Sequence, residues 1–266
     1  MYADKKPLGL IIVITGLLLL TRCGDEGFNI FSIEDDKMLG KQLADTIAAN
    51  PSEYPLLSET QYAEAYGHLY RIRDSILNSG RVTYKDEFVW SLKIIHDDNV
   101  LNAFCAPGGY IYVYTGLIKF LDSEDQLAGV LGHEIAHADK RHTTEQLTKL
   151  YGISLLLEVA LGNNAQLLGE IATSLIALKF SRNHEEEADN FSVKYLCPTS
   201  YNAAGAGGFF QKLIDQGQSG NVPEFLSTHP NPDNRVANIE AQKDAEGCAG
   251  NNTYSSRYQQ LKASLP

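Results

Sequence analysis

His133-Glu134-Ile135-Ala136-His137, with the pattern H-E-x-x-H, is the stretch on which the reading of this chain turns. On a helix, residues four apart share a face, so the imidazoles of His133 and His137 can reach one metal ion. Glu134 can reach a water on that ion. The flanks support a helix. Ser123 and Gln126 have the spacing of a capping box, Glu124 and Asp125 favour the positive end of a helix dipole, and Leu127, Val130 and Leu131 form an apolar stripe. Gly132 costs about 1 kcal/mol in a helix interior relative to alanine, so a close neighbour is expected there. Five residues alone are also compatible with a pair of surface histidines, and a third ligand elsewhere has to decide.

A catalytic zinc takes three protein ligands and keeps one position open for water. Residues 181–189, Ser-Arg-Asn-His-Glu-Glu-Glu-Ala-Asp, offer a carboxylate. Glu185 and Asp189 are four apart on an expected helix, so one can bind the metal while the other braces a ligand histidine. Three consecutive glutamates also suit a solvated helix face, and spacing does not choose among Glu185, Glu186 and Glu187. His68, His96, His142 and His184 have no ligand-like setting and read as surface or packing residues.

On the N-terminal side of the motif, the pattern predicts a helix over 33–50 with Leu39, Leu43 and Ile47 on one side. A second is predicted over 59–78, started by Ser58 and Gln61 and ended by Gly80. The period then becomes alternating. Residues 88–94, 100–105 and 110–115 read as three short strands, the last two separated by Pro107-Gly108-Gly109. In sequence they make a small antiparallel meander directly before the metal helix. An edge strand there either pairs with an extended peptide or simply covers the core.

On the C-terminal side, Leu150 to Phe180 is apolar but interrupted by Glu158, Asn163, Asn164 and Glu170. It reads as two amphipathic helices joined at Gly162-Asn163-Asn164, not as a membrane hairpin. Further helices are predicted over 184–196 and 203–216. A loop with Pro223, His229, Pro230 and Pro232 follows, and a last helix starting at Asn231-Pro232 carries Arg235, Val236 and Ile239.

The 266 residues suffice for one sizeable domain. A net charge of -11 leaves no basic stripe for nucleic acid and no attraction to an anionic lipid surface. Lys5 and Lys6 precede an apolar run, Leu8 to Leu20, too short to span a bilayer comfortably and suited to a signal-peptide core. Leu20-Thr21-Arg22-Cys23 then resembles a lipobox, which would acylate Cys23. Arg22 departs from that pattern, where a small residue is usual, so plain cleavage and an uncleaved anchor stand as alternatives. Cys105 reads as a buried free thiol. Cys197 and Cys248 flank helices and can pair in an oxidising envelope, which would stabilise the fold by roughly 4 kcal/mol in the loop-entropy model.

H-E-x-x-H followed by S-R-x-x-E-x-x-A-D resembles the gluzincin zinc metallopeptidases related to HtpX and to the CAAX prenyl endopeptidase, family 48 of the metallopeptidases. Asn102-Ala103-Phe104 with Pro107-Gly108-Gly109, Ile111, Val113 and Gly116-Leu117 is similar to that family's segment before the metal helix. His229-Pro230 with Arg235 is similar to its downstream motif. The resemblance covers about residues 100 to 240. It implies Glu185 as third ligand beside His133 and His137, Asp189 as the partner of a zinc histidine, and Arg235 as a brace for the loop. It places His229 near the metal, either donating to the oxyanion or filling the fourth position at rest. Multiple membrane helices and a long tetratricopeptide array are absent from the pattern, so the likeness is to the compact, periplasmic, lipoprotein-like branch, and prenylated substrates are not expected.

The expectation is therefore an α+β, mainly helical zincin-type domain with a small antiparallel sheet before the metal helix. Its parts are a signal peptide over 1–22, a tether over 23–32, the metallopeptidase domain over 33–250 and a tail over 251–266. One Zn2+ sits on His133, His137 and Glu185, with Glu134 as general base and His229 at the oxyanion or the metal. The expected task is cleavage of unfolded or misassembled proteins of the bacterial cell envelope, in the periplasm and anchored to the outer membrane through Cys23, with no nucleic-acid partner. The rival readings are a chaperone-like protein whose protease site is latent and self-blocked, and a purely structural metal site, for which Glu134 would have no use.

Overall fold

The computed structural model describes residues 31–217, 224–229 and 234–266. The expected leader, Cys23 and most of the expected tether lie outside these residues, as do Pro223, Pro230, Asn231 and Pro232. The elements run α1 (Ile33–Ala48), α2 (Ala63–Leu77), β1 (Ser91–Ile95), β2 (Ala103–Ala106), β3 (Tyr110–Tyr114), α3 (Thr115–Phe120) and α4 (Glu124–Asp139). They continue α5 (His142–Tyr151), α6 (Ile153–Ala160), α7 (Ala165–Leu175), α8 (Arg182–Leu196), α9 (Gly205–Gly217), α10 (Glu224–Thr228), α11 (Arg235–Glu246) and α12 (Ser255–Ala263). The fold is α+β and mainly helical, as expected. No helix of the described residues is long and apolar enough to cross a membrane.

The sheet differs from the expected meander. Its order is β1-β3-β2. β2 and β3 form an antiparallel hairpin, but β1 pairs with β3 in parallel, in the register Leu92↔Ile111 and Ile94↔Val113. The cause lies in the β1–β2 connection, which is too long for a tight turn. It wraps the end of β3, where Gly116 N–H donates to Asp97 O (3.0 Å), and a Cβ on Gly116 would stand 2.5 Å from Val100 O. The chain thus passes beneath β3 and delivers β2 to its far side. Gly108 and Gly109 take the positive φ values, 73° and 86°, that the hairpin turn requires.

Strand alternation divides the core in two. Ile111, Val113, Leu92, Ile94 and Cys105 face a cluster with α2, α4, α8 and α9. Tyr112, Tyr114 and Phe104 face a second cluster with α1, α6 and α7. Each fully buried leucine or isoleucine contributes roughly 1.5–3 kcal/mol.

α4 runs through the first cluster and is buried on every side except at Gln126, broader than the apolar stripe expected of it. Small residues make this packing possible. A Cβ on Gly129 would stand 2.2 Å from the Ala206 backbone nitrogen on α9, and one on Gly132 would stand 2.7 Å from Ser192 Oγ on α8. Ser192 Oγ donates to Gly129 O (2.7 Å), so the close neighbour expected at Gly132 is α8.

The start of α4 is held differently from the expected capping box. Ser123 Oγ donates to Asp125 Oδ1, and Gln126 Oε1 accepts from Asp122 N–H. The first helical N–H groups, of Glu124 and Asp125, are instead satisfied by Thr253 O, at 3.0 and 3.3 Å. Residues 251–266 therefore pack into the domain. Tyr258 and Leu261 of α12 are fully buried, Tyr258 donates to Ile118 O (2.6 Å), and Arg257 Nε meets the buried Glu124 at 2.9 Å.

The apolar region 150–180 carries the predicted break at Gly162-Asn163-Asn164, where Asn164 caps α7 through Leu167 N–H (3.1 Å). Its first helix is further divided at Gly152, whose φ of 78° ends α5 and starts α6.

Candidate metal centre

α4 presents His133 and His137 one turn apart, and their Nε2 atoms lie 3.0 Å from each other. α8, capped by Ser181 through His184 N–H, crosses α4 at the Gly129–Gly132 contact, where Ser192 Oγ donates to Gly129 O and sets its register against α4. That register brings Glu185, alone among the three glutamates, to the histidines. Glu185 Oε1 is 3.4 Å from His137 Nε2, and Oε2 is 3.5 Å from His133 Nε2. Glu186 is exposed, and Glu187 turns to another partner. His229, immediately after α10, completes the group. Its Nδ1 lies 3.0 Å from Glu185 Oε1 and 3.3 Å from His133 Nε2. One ligand atom from each of His133, His137, Glu185 and His229 falls within 4.8 Å of the others, and all four residues are buried.

The charges fit a cation. Burial pushes the Glu134 carboxyl upward, and among the described residues neither of its oxygens has a hydrogen-bond partner. The nearest ring nitrogen, His229 Nε2, is 3.6 Å from Oε1. A fully buried carboxylate without a partner is costly, and an ion beside it with its water would offset that cost. Burial also opposes ionisation of Glu185, but the surrounding imidazoles of His229, His137 and His133 outweigh it and hold the carboxyl well below its usual range. Burial lowers His137 well below the ordinary imidazole range, which keeps it in the neutral form that ligates metals. Three imidazoles and a carboxylate are nitrogen and oxygen donors of the kind zinc takes.

The surroundings fix these groups. His133 Nδ1 meets Asp189 Oδ1 at 2.9 Å, and Asp189 accepts from Arg235 Nε (2.5 Å) and Nη2 (2.7 Å). Burial disfavours the Asp189 charge, but the fully buried Arg235 outweighs it and holds the carboxyl below its usual range. Arg235 also reaches Glu185 Oε2 (3.2 Å) and lies over the Phe210 ring. Two aromatic rings close the group: Phe180 stacks on His137 (3.9 Å between centroids) and Phe225 stacks on His229 (4.3 Å). Phe225 N–H donates to Leu101 O (3.1 Å) just before the edge strand β2, and Asn102 donates to Ile176 O, so both covering segments lie against that edge.

Cys197 and Cys248 form a disulfide joining the ends of α8 and α11, and Cys105 is a buried free thiol beside Thr143 Oγ1. His142, read as a surface or packing residue, makes a specific contact in the structure. It is buried and its Nδ1 lies 3.0 Å from His137 Nδ1. No helical periodicity signals this, because the two are five apart and the chain turns between them. Arg141 adopts a left-handed conformation (φ 62°) that ends α4 and starts α5. Asp36 of α1 holds that corner by accepting from Arg141 Nε and Thr144 Oγ1.

Compared with known protein families, residues 67–243 match the model of peptidase family M48. The chain is 28% identical to the mitochondrial metalloendopeptidase OMA1 of Schizosaccharomyces pombe, over 80% of this chain and 62% of that protein. It is 30% identical to the putative beta-barrel assembly-enhancing protease of Vibrio cholerae, over 67% of this chain and 42% of that protein. It is 31% identical to the beta-barrel assembly-enhancing protease of Escherichia coli, over 54% and 32%. The chain thus spans less than two thirds of the length of each of these relatives. With well over half of its residues in the family match, and the buried cluster inside that match, the chain belongs to peptidase family M48, whose metallopeptidase domain it carries.

Proposed function

We propose that this chain is a zinc-dependent endopeptidase of the bacterial cell envelope that cleaves misfolded or misassembled envelope proteins. The observation that carries the reading is the buried group of His133, His137, Glu185 and His229 with the unpartnered Glu134 beside it. His133, His137 and Glu185 would hold the zinc. When bound, zinc supplies a Lewis acid that polarises the scissile carbonyl and lowers the pKa of its water toward about 7. Glu134 takes the proton from the attacking water and passes it to the leaving amine, a task suited to a carboxyl that burial has pushed upward. Asp189, clamped by Arg235, keeps the His133 ring in one orientation.

His229 acts in the resting state as a block. Its Nδ1 stands among the ligand atoms, and the segments around Phe180 and Phe225 lie over the same group. Substrate enters only when these segments move, and an extended peptide then pairs with the edge strand β2. The second reading, a chaperone-like protein with a latent site, is favoured by the complete burial of the group. The envelope as the place of work draws on the relatives named as beta-barrel assembly-enhancing proteases, together with the leader and the lipobox-like Cys23. Cleavage of an unfolded protein by the purified soluble form, with and without chelator, tests the reading. Chelator-sensitive cleavage supports it, and binding without cleavage even after His229→Ala supports the chaperone.

A further inference from the structure

The two ring nitrogens of His137 face different neighbours. Nε2 points into the ligand group, 3.0 Å from His133 Nε2 and 3.4 Å from Glu185 Oε1. Nδ1 points away from it, 3.0 Å from His142 Nδ1. His142 Nε2 in turn lies 3.2 Å from Glu187 Oε2, and the Glu187 side chain is half exposed. The His142 ring is also fixed from its face. It stacks on His184, with centroids 4.3 Å apart and planes 10° from parallel, and His184 Nε2 lies 3.3 Å from Glu145 Oε1.

Two ring nitrogens 3.0 Å apart share one proton, because two lone pairs repel and two N–H groups collide. A neutral imidazole that offers Nε2 to a metal carries its proton on Nδ1. His137 Nδ1–H therefore donates to His142 Nδ1. The His142 proton must then sit on Nε2, where it donates to Glu187. The metal end of the chain fixes the direction of every bond in it.

We infer that His142, braced by Glu187, is the positioning residue for His137, holding its ring in the plane and tautomer in which Nε2 faces the metal. This rests on the metal reading proposed above. The arrangement parallels that of His133, whose Nδ1 meets Asp189 clamped by Arg235. The supports differ in kind. His133 leans on a fully buried ion pair, whereas His137 leans on a neutral ring whose charged support stands at the surface. The spacing is also tied to the fold: the left-handed Arg141, pinned to Asp36, turns the chain so that the first residue of α5 faces back to α4.

The test is the zinc dissociation constant, measured by competition with a chromophoric chelator, for wild type, His142→Leu, His142→Asn and Glu187→Ala. His142→Leu removes the acceptor, and zinc affinity should fall about 10–100-fold, the usual loss when the partner of a ligand histidine is removed. In His142→Asn the amide oxygen stands near the place of Nδ1 and accepts the same N–H, so affinity should return close to the wild-type value. Glu187→Ala should show a smaller loss than His142→Leu. Wild-type affinity in a folded His142→Leu overturns the inference, as does His142→Asn losing as much as His142→Leu, which would make packing and not the hydrogen bond decisive. If His142→Leu does not fold, unchanged affinity in Glu187→Ala overturns it. A wild type that takes up no zinc overturns the metal reading itself, and the inference with it.

Discussion

Replacing Arg235 by methionine should cost the metal-free protein about 3–5 kcal/mol, the usual price of removing one partner from a buried ion pair. The structure gives reason to expect the full effect. Arg235 is fully buried, donates to both Asp189 oxygens at 2.5 and 2.7 Å, and lies 3.2 Å from Glu185 Oε2. Without it, Asp189 is a buried carboxylate left with only the His133 ring beside it, while Glu185 keeps its imidazole neighbours. Methionine fills the volume of the arginine stem, although not that of the guanidinium over Phe210, so the loss reports mainly the uncompensated charge. At about 2–4 °C per kcal/mol for a domain of this size, Tm should fall by roughly 6–20 °C. The assay is thermal or urea unfolding of wild type and variant with chelator present throughout, so that bound metal does not neutralise Glu185. A variant within about 1 kcal/mol of wild type would refute the reasoning, because the guanidinium would then not be what compensates Asp189.

Further outcomes follow from other parts of the structure. His229→Ala should raise basal cleavage of an unfolded protein at equal zinc occupancy if His229 blocks the site. A loss of about a hundredfold would instead assign it to the oxyanion, and no change in either direction would remove both roles. Gly129→Ala should destabilise the fold by about 1–3 kcal/mol, the usual cost of overpacking, because its Cβ would meet the backbone of Ala206, which cannot rotate away; unfolding curves that superimpose on wild type would contradict the packing described for α4 and α9. Mass spectrometry of the mature N-terminus should find an acylated Cys23. A free amino terminus elsewhere, or an intact Met1, would end the lipoprotein reading.

The H-E-x-x-H helix and the side chains that meet in the buried group from α4 and α8 were legible because they obey the helical period. His133 and His137, and Glu185 and Asp189, are each four apart, the position of Gly132 announced a close contact, and Gly162-Asn163-Asn164 announced a break between helices. The choice among three adjacent glutamates was not legible from spacing, since it depends on how α8 is rotated against α4, and that is set by the Ser192–Gly129 contact between them. The parallel β1–β3 pair escaped for a related reason. Strand alternation tells which face is buried but not which neighbour a strand takes, and here a loop wrapped around Gly116 decided it. Thr253 at the start of α4 and His142 beside His137 share one character: both are contacts made by chain that has turned back, one from the far terminus and one through a left-handed residue. Periodicity carries no trace of either.

The central claim is that Glu134 moves the proton in a zinc-dependent hydrolysis. It is tested most directly by Glu134→Gln, with zinc content and cleavage of one unfolded protein measured on the same samples, in both the wild-type and the His229→Ala backgrounds so that a closed resting site hides nothing. The ligands are untouched by this change and glutamine keeps the shape, so zinc content should match that of the parent protein while cleavage disappears in both backgrounds. A zinc-loaded Glu134→Gln protein that cleaves at its parent's rate would contradict the account.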